Sequence, residues 1–132
     1  MDNVMVTNNC RCFEEWKDIF QIEFEEGWTY LDVLTKARDY IHQGYHLLTH
    51  PLAGSVKPNQ TPFKSIILSK DTLEDAEEFR DLVLIEDSIA AYHKFIKGKP
   101  LPDWHEKSRE DFRTVDLSLM EGVVSNPIMN RR

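Results

Sequence analysis

Apolar and polar positions switch between two repeat lengths along the chain, and each switch marks an element boundary. Val4, Met5 and Val6 form a short apolar run ending in Thr7-Asn8-Asn9. That pattern predicts a buried first strand feeding a polar turn, with Asn8 or Asn9 placed to cap the next element. Phe13, Trp16 and Phe20 recur at helical spacing, so a short helix is expected over roughly 11 to 18. Phe20, Ile22 and Phe24 then alternate with Gln21, Glu23 and Glu25, the period of a strand with one wet face, at or near a sheet edge. Gly27 breaks that strand, and Thr29 with Asp32 forms a capping box in which Asp replaces the usual Glu. A helix is expected from Tyr30, its inner stripe made of Tyr30, Val33, Leu34, Ala37 and Ile41, with Gly44 as its left-handed C-terminal cap.

Tyr45 to Thr49 predicts a third strand that stops at His50-Pro51, because proline cannot continue a ladder. The segment 51–62 carries Pro51, Gly54, Pro58 and Pro62, and a restrained loop of this length inside a domain suggests function. Phe63 to Ser69 predicts a fourth strand, followed by an exposed acidic stretch from Asp71 to Asp81. Leu82, Ile85, Ile89, Tyr92 and Ile96 step by three and four, a second amphipathic helix ending at Gly98, with Pro100 and Pro102 preventing continuation. Val115, Leu117 and Leu119 alternate with Asp116 and Ser118, which predicts a last strand, with a short helix over 117 to 124 as the alternative.

This order predicts a single α/β domain over 1–125 with a frayed tail at 126–132. The expected architecture has three layers: a four- to five-stranded, mostly parallel sheet with helices on both faces. Strands one to three are joined by helices and are expected to run parallel, while the fourth can run either way. The size fits this reading, since 132 residues with 41% hydrophobic content can form one core. No apolar stretch approaches the roughly 20 residues needed to span a bilayer, and the start lacks the pattern of a secretory signal, so the expected location is the cytoplasm.

Charge sharpens the picture. The formal net charge of -7 disfavours nucleic acid as a partner. Yet no acidic residue occurs between Asp39 and Asp71, a window that holds His42, His46, His50, Lys57, Lys64 and Lys70. A locally positive region therefore lies inside an acidic protein and would steer a small anion. Cys10 and Cys12, spaced C-x-C, have no second cysteine pair to complete a zinc site, and reduced thiols are expected with no metal and no cofactor.

In open α/β sheets ligands collect beyond the carboxyl ends of the parallel strands. Thr7, Asn8 and Asn9 follow the first strand, and Thr49 and His50 follow the third, so the two groups would share a rim if those strands were neighbours. Gly54 permits close backbone approach, and Ser55, Lys57, Thr61 and Lys64 offer hydroxyl and ammonium donors for a carboxylate or phosphate. His50 is the candidate acid or base, being placed at a strand end beside a rigid loop and titrating near neutral pH; the alternative is a histidine that bonds the loop backbone. His42 and His46 bracket a helix end, where a cationic ring suits the dipole, and His93 and His105 are expected at the surface. No phosphate loop, dinucleotide turn or nucleophile elbow is present.

At Thr7-Asn8-Asn9, and above all from His46 to Ser65 with Thr49-His-Pro-Leu-Ala-Gly-Ser-Val-Lys-Pro58 at its centre, the chain resembles the GrdX family. Those are small bacterial proteins encoded beside glycine reductase and related amino-acid reductase genes in anaerobes. The resemblance extends to Leu84-Ile85-Glu86 and to the stretch from Asp111-Phe112 to Leu119. It implies an association with selenium-dependent amino-acid reduction, not that this chain performs the reduction.

Residues and resemblance together lead to the expectation of a cytoplasmic accessory or binding protein. Its rim of Thr7, Asn8, Asn9, Thr49, His50, Gly54, Ser55, Lys57, Thr61 and Lys64 would hold a small anionic ligand or an amino-acid reductase component. The alternative is a small enzyme acting on a carboxylate or phosphate with His50 as general acid or base, and a homo-oligomer packed through the 51–62 loop is a third reading.

Overall fold

Eight elements follow one another: β1 (Asn3–Thr7), α1 (Cys10–Trp16), β2 (Gln21–Phe24), α2 (Tyr30–His42), β3 (His46–Leu47), β4 (Ser65–Ser69), α3 (Asp75–Gly98) and α4 (Glu106–Val124). They come from a computed structural model that describes residues 3–52, 56–70 and 75–125. The expected tail at 126–132 lies outside the described residues, as do Gly54 and Ser55.

The fold is α/β, with four helices around a four-stranded mixed sheet of order β2-β1-β4-β3. β1 pairs with β2 in parallel, Val4 opposite Gln21 and Thr7 opposite Phe24. β4 is antiparallel both to β1, with Met5 opposite Ile67, and to β3, with Leu47 opposite Leu68. The expectation of a mostly parallel sheet is therefore corrected: two of the three ladders are antiparallel. β1, β2 and β3 do run the same way, as the helical connections imply. β4, reached from β3 through a loop and not a helix, inserts between β1 and β3 in the opposite direction.

Every residue of β1 and β4 is buried. Successive side chains of a strand point to opposite faces, and those of β1 and β4 divide between two apolar clusters. Val4, Val6, Ile66 and Leu68 join Val33, Leu34, Ala37 and Ile41 of α2 and Ile85 of α3. Met5 and Ile67 join Cys12 and Trp16 of α1 and Met120 of α4.

Local chemistry explains the helix starts. The Asn9 side chain accepts from the Arg11 amide at the head of α1. At the head of α2, Thr29 Oγ1 accepts from the Asp32 amide at 3.1 Å and Asp32 Oδ2 accepts from the Thr29 amide at 2.9 Å, closing the expected capping box. Gly44 has a φ of 99°, the left-handed conformation that ends α2.

Three expectations change. The strand anticipated over 45–49 shortens to two residues. The acidic stretch read over 71–81 is already part of α3 from Asp75 onward, and residues 71–74 lie outside the described residues. The alternation at 115–119 belongs to α4 and not to a strand. Arg113, Asp116 and Met120 are the buried residues of that helix, spaced by three and four, and two of them are charged. The inner stripe of α4 is thus partly polar, and counting apolar residues alone misreads its period.

Candidate functional site

At the carboxyl end of β1 the chain builds a buried polar group from four separate segments. Asn8 has both amide hydrogens committed, to the carbonyls of Trp28 and Pro62 at 2.9 Å each, and its Oδ1 accepts from the Lys64 amide at 2.9 Å. One side chain thereby fixes the end of β1, the turn into α2 and the entry to β4. Next to it, the Asn9 amide donates to Thr7 Oγ1 at 3.0 Å, and Thr7 Oγ1 and Ser65 Oγ lie 2.6 Å apart. Ser65 Oγ donates to Asp116 Oδ2 at 2.7 Å, so the proton between the two hydroxyls belongs to Thr7. Asn9 Nδ2 donates to the same carboxylate oxygen at 3.0 Å and to the Arg113 carbonyl at 2.9 Å. Four donors thus run in one direction onto Asp116, and α4 is tied to both central strands.

Two titratable groups lean on this arrangement. Cys12 lies 3.5 Å from Ser65 Oγ and 3.7 Å from Asp116 Oδ2, and burial together with the Asp116 charge pushes its thiol well above the usual cysteine range. Lys64 is 6% exposed, with its Nζ 5.9 Å from the centre of the Tyr30 ring. Burial lowers its ammonium from 10.5 to about 8, an effect the charge of Asp116 partly opposes. Lys64, Asp116, Tyr30 and Thr61 line a small half-open cavity whose enclosed part, ≈ 20 Å³, holds about one water. Its remaining lining is apolar: Val56, Phe63, Phe112, Val115 and Leu119.

A second and larger cleft, ≈ 340 Å³, shares Tyr30 and Phe63 with the first. Asn8, which follows β1, and residues 26–30, which follow β2, line it. Pro58, Pro62, Phe63, Tyr92, Leu101 and Arg109 complete the lining. Its place in the fold has a physical cause. β1 leads into α1, which packs with Met5, whereas the neighbouring parallel strand β2 leads into α2, which packs with Val4 and Val6. Where two adjacent parallel strands send their chains to opposite faces, a crevice opens beyond their carboxyl ends.

The walls of this cleft are braced. Tyr30 and Tyr92 stack at 5.8 Å, and the Arg109 and Arg113 guanidinium groups stand 5.2 and 4.8 Å from the Phe63 ring. Arg113 donates to Glu106 at 2.7 Å and to Glu110 at 2.8 Å, while Arg109 lies 3.8 Å from Glu106.

The residue pattern from β1 through α4 that carries this site also matches the family model for the GrdX-like protein, over residues 4–125. The chain belongs to the GrdX family. Comparison with curated proteins and with solved structures found no match.

Of the residues expected to form a rim in this GrdX-family chain, the structure brings together Thr7, Asn8, Asn9, Thr61 and Lys64. Gly54 and Ser55 lie outside the described residues, and Thr49, His50 and Lys57 stand apart, β4 lying between β1 and β3. Thr49 Oγ1 accepts from the Ile67 amide at 3.2 Å, on the outer side of β4. His50 is exposed, and its Nδ1 accepts from the Leu52 amide at 3.0 Å, a bond that shapes the loop. Lys57 is exposed with its Nζ 5.9 Å from the Phe95 ring, which lines a separate groove over the end of α3. The loop itself is anchored by the Trp104 indole donating to the Gln60 carbonyl at 2.7 Å and by Asn59 donating to the Lys99 carbonyl.

His46, expected beside the end of α2, is instead buried, its Nδ1 3.4 Å from Asp81 Oδ2. Burial raises the Asp81 carboxyl, although the Leu47 amide donates to it. Among the described residues no three His, Cys, Asp or Glu side chains are grouped to hold a metal ion, and no helix is long and apolar enough to cross a membrane.

Sequence reasoning passed over Asp116, Ser65, Tyr30 and Arg109. Asp116 and Ser65 lay inside elements read only for apolar period. The available signal was a charged pair, Arg113 and Asp116, at the spacing of an inner helical stripe that ends on Met120.

Proposed function

We propose that this GrdX-family chain is a binding protein for a small anionic ligand, seated in the ≈ 340 Å³ cleft beyond β1 and β2. The observation that carries the reading is the position of that cleft at the divergence of two parallel strands, with the Arg109 guanidinium in its wall. Small-ligand sites are concave and mostly apolar, with a few polar groups that fix orientation. Trp28, Phe63, Tyr92 and Leu101 supply the apolar walls, and Asn8, Thr29 and Arg109 the polar groups. Glu26 also lines the cleft, at the exposed turn after β2, and selects against a second negative charge there. His50 lines neither cavity, which favours binding over acid-base chemistry at that residue.

The test is a thermal-shift panel of small carboxylates, phosphates, nucleotides, and sulfur and selenium amino acids. A ligand that binds only the folded chain raises its melting temperature. We expect a stabilising anion whose effect falls about tenfold in apparent affinity for Arg109→Gln, the loss of one charge-assisted contact. A panel without a stabilising anion, or a stabilising anion indifferent to Arg109→Gln, overturns the reading. The family resemblance adds an association with amino-acid reductase systems in the cytoplasm. Pull-down with purified reductase components, with and without the stabilising anion, tests that part separately.

A further inference from the structure

We propose that the groove over the C-terminal end of α3 docks an acidic peptide segment of a protein partner, with one bulky apolar side chain of that segment seated on Phe95. The groove, ≈ 570 Å³, is lined by Asn59, Ala91, Lys94, Phe95, Gly98 and Lys99. It shares no residue with the cleft beyond β1 and β2, so this reading does not rest on the anion site.

The sequence explains why a groove lies here. Ala91, Lys94, Phe95 and Gly98 step by three, one and three, which places them on a single stripe of α3. The small residues Ala91 and Gly98 leave room around the half-buried Phe95, and a Cβ at Gly98 would meet nothing within 4 Å. Asn59, donating to the Lys99 carbonyl at 3.1 Å, ties the 51–62 loop to the groove.

Charge names the occupant. The chain carries a net charge of -7, yet residues 88–102 contain no Asp or Glu, like residues 40–70. The fold brings these two acid-free stretches together. Lys57 Nζ stands 5.9 Å from the Phe95 ring, in a groove whose lining includes Lys94 and Lys99, and all three lysines are exposed. Arg11, Lys17, Lys36, Arg38, Arg109 and Arg113 each have a carboxylate within ion-pairing distance. None of the three groove lysines has one among the described residues. Unpaired cations on an otherwise acidic protein steer acidic side chains to this face. Exposed ammonium groups hold a single small anion weakly in water, whereas several carboxylates along one segment engage them together. Phe95 and Ala91 add the apolar contact.

The experiment titrates the full ¹⁵N-labelled chain, at neutral pH and low ionic strength, with a capped synthetic octapeptide of glutamate interrupted by leucine, and follows the amide signals by NMR. Saturable shifts should cluster at Lys57, Asn59 and the 91–99 end of α3. Lys94→Glu combined with Lys99→Glu should weaken the apparent affinity at least about tenfold. Gly98→Leu, which fills the groove without a change of charge, should weaken it as well. All three positions are exposed, so the substitutions leave the core intact. A peptide with serine for leucine should bind about fivefold more weakly, and equal binding overturns the seat on Phe95. Shifts that do not saturate, or that persist in the charge-reversed variant, overturn the proposal. An equal response to a thymidine oligonucleotide also overturns it, marking a site for phosphate-rich chains. Broadening of the same amides with rising protein concentration and no peptide would assign the groove to a second copy and overturn it too. Shifts at Asn8, Trp28 and Arg109 instead would put the peptide in the cleft and sink this site. No small anion is added, so a failed titration leaves the cleft reading standing.

Discussion

Lys64 illustrates how a single buried cation ties stability to pH. In the unfolded chain its ammonium titrates near 10.5, and in the fold near 8. Below pH 8 both states carry the proton and the cost of burying the charge is complete. Between 8 and 10.5 the unfolded chain holds a proton that the folded chain has released, so stability rises with pH. Cys12 opposes this from about pH 9 upward, because its thiol ionises in the unfolded chain and stays protonated in the fold. Comparing wild type with Lys64→Met cancels the cysteine. The variant should be more stable by about 1–3 kcal/mol at pH 7, the size expected from the shift after some relaxation, and the advantage should shrink from pH 8 upward. Urea unfolding at pH 7, 8, 9 and 9.5 checks this; an advantage constant with pH would exclude Lys64 as the titrating group.

Lys64 was legible in the sequence as a cation in an acid-free window, and Thr7, Asn8 and Asn9 as a polar turn after a buried strand. Asp116 was not. A carboxylate buried at 7% exposure looks like any other acid until the partners that satisfy it are known, and Ser65 and Asn9 lie 51 and 107 residues away.

At the scale of elements, local rules served well where they act locally. The stripe from Tyr30 to Ile41, the capping box and Gly44 all describe α2 without reference to the rest of the chain. Removing the Thr29 hydroxyl by Thr29→Ala frees the Asp32 amide and should cost about 1 kcal/mol. Because Thr29 also lines the cleft, the substitution should be read first by urea unfolding without ligand. A change below about 0.3 kcal/mol would show that the turn is held by Asn8 and Trp28 alone. The α4 strand reading failed for the opposite reason. Val115, Leu117 and Leu119 alternate, but Val115 and Leu119 are also one helical turn apart, and periodicity alone cannot separate the two over five residues. Strand order was equally out of reach: β4 sits between β1 and β3 because of pairings across dozens of residues, which no local pattern encodes.

The whole molecule is joined at one charged corner. Arg113 of α4 holds Glu106 and Glu110, Arg11 of α1 donates to Glu110 and Thr114, and Phe63 at the entry to β4 packs on the same guanidinium. Hydrogen bonds from Arg113 place both glutamates below the ordinary value of 4.5. Lowered carboxylates contribute stability above their unfolded value, and that contribution disappears as pH falls through the folded one. Melting temperature should therefore fall as pH drops below about 4.5. Glu110→Gln should melt lower than wild type at pH 6 and converge with it in acid, where the wild-type carboxyl is protonated as well. Parallel melting curves across that range would mean that the corner contributes nothing through charge.

The tie between Asn9 and Asp116 reaches across almost the whole order of synthesis. The strands and the 51–62 loop are made first, and the carboxylate that completes the polar group arrives on α4, as does the Arg109 wall of the cleft. A nascent chain can pair β1 with β4 while Thr7, Ser65 and Lys64 still face water, because the element that covers them has yet to emerge. The polar group beyond β1 is thus closed only when α4 docks, making that helix the timing device of the site.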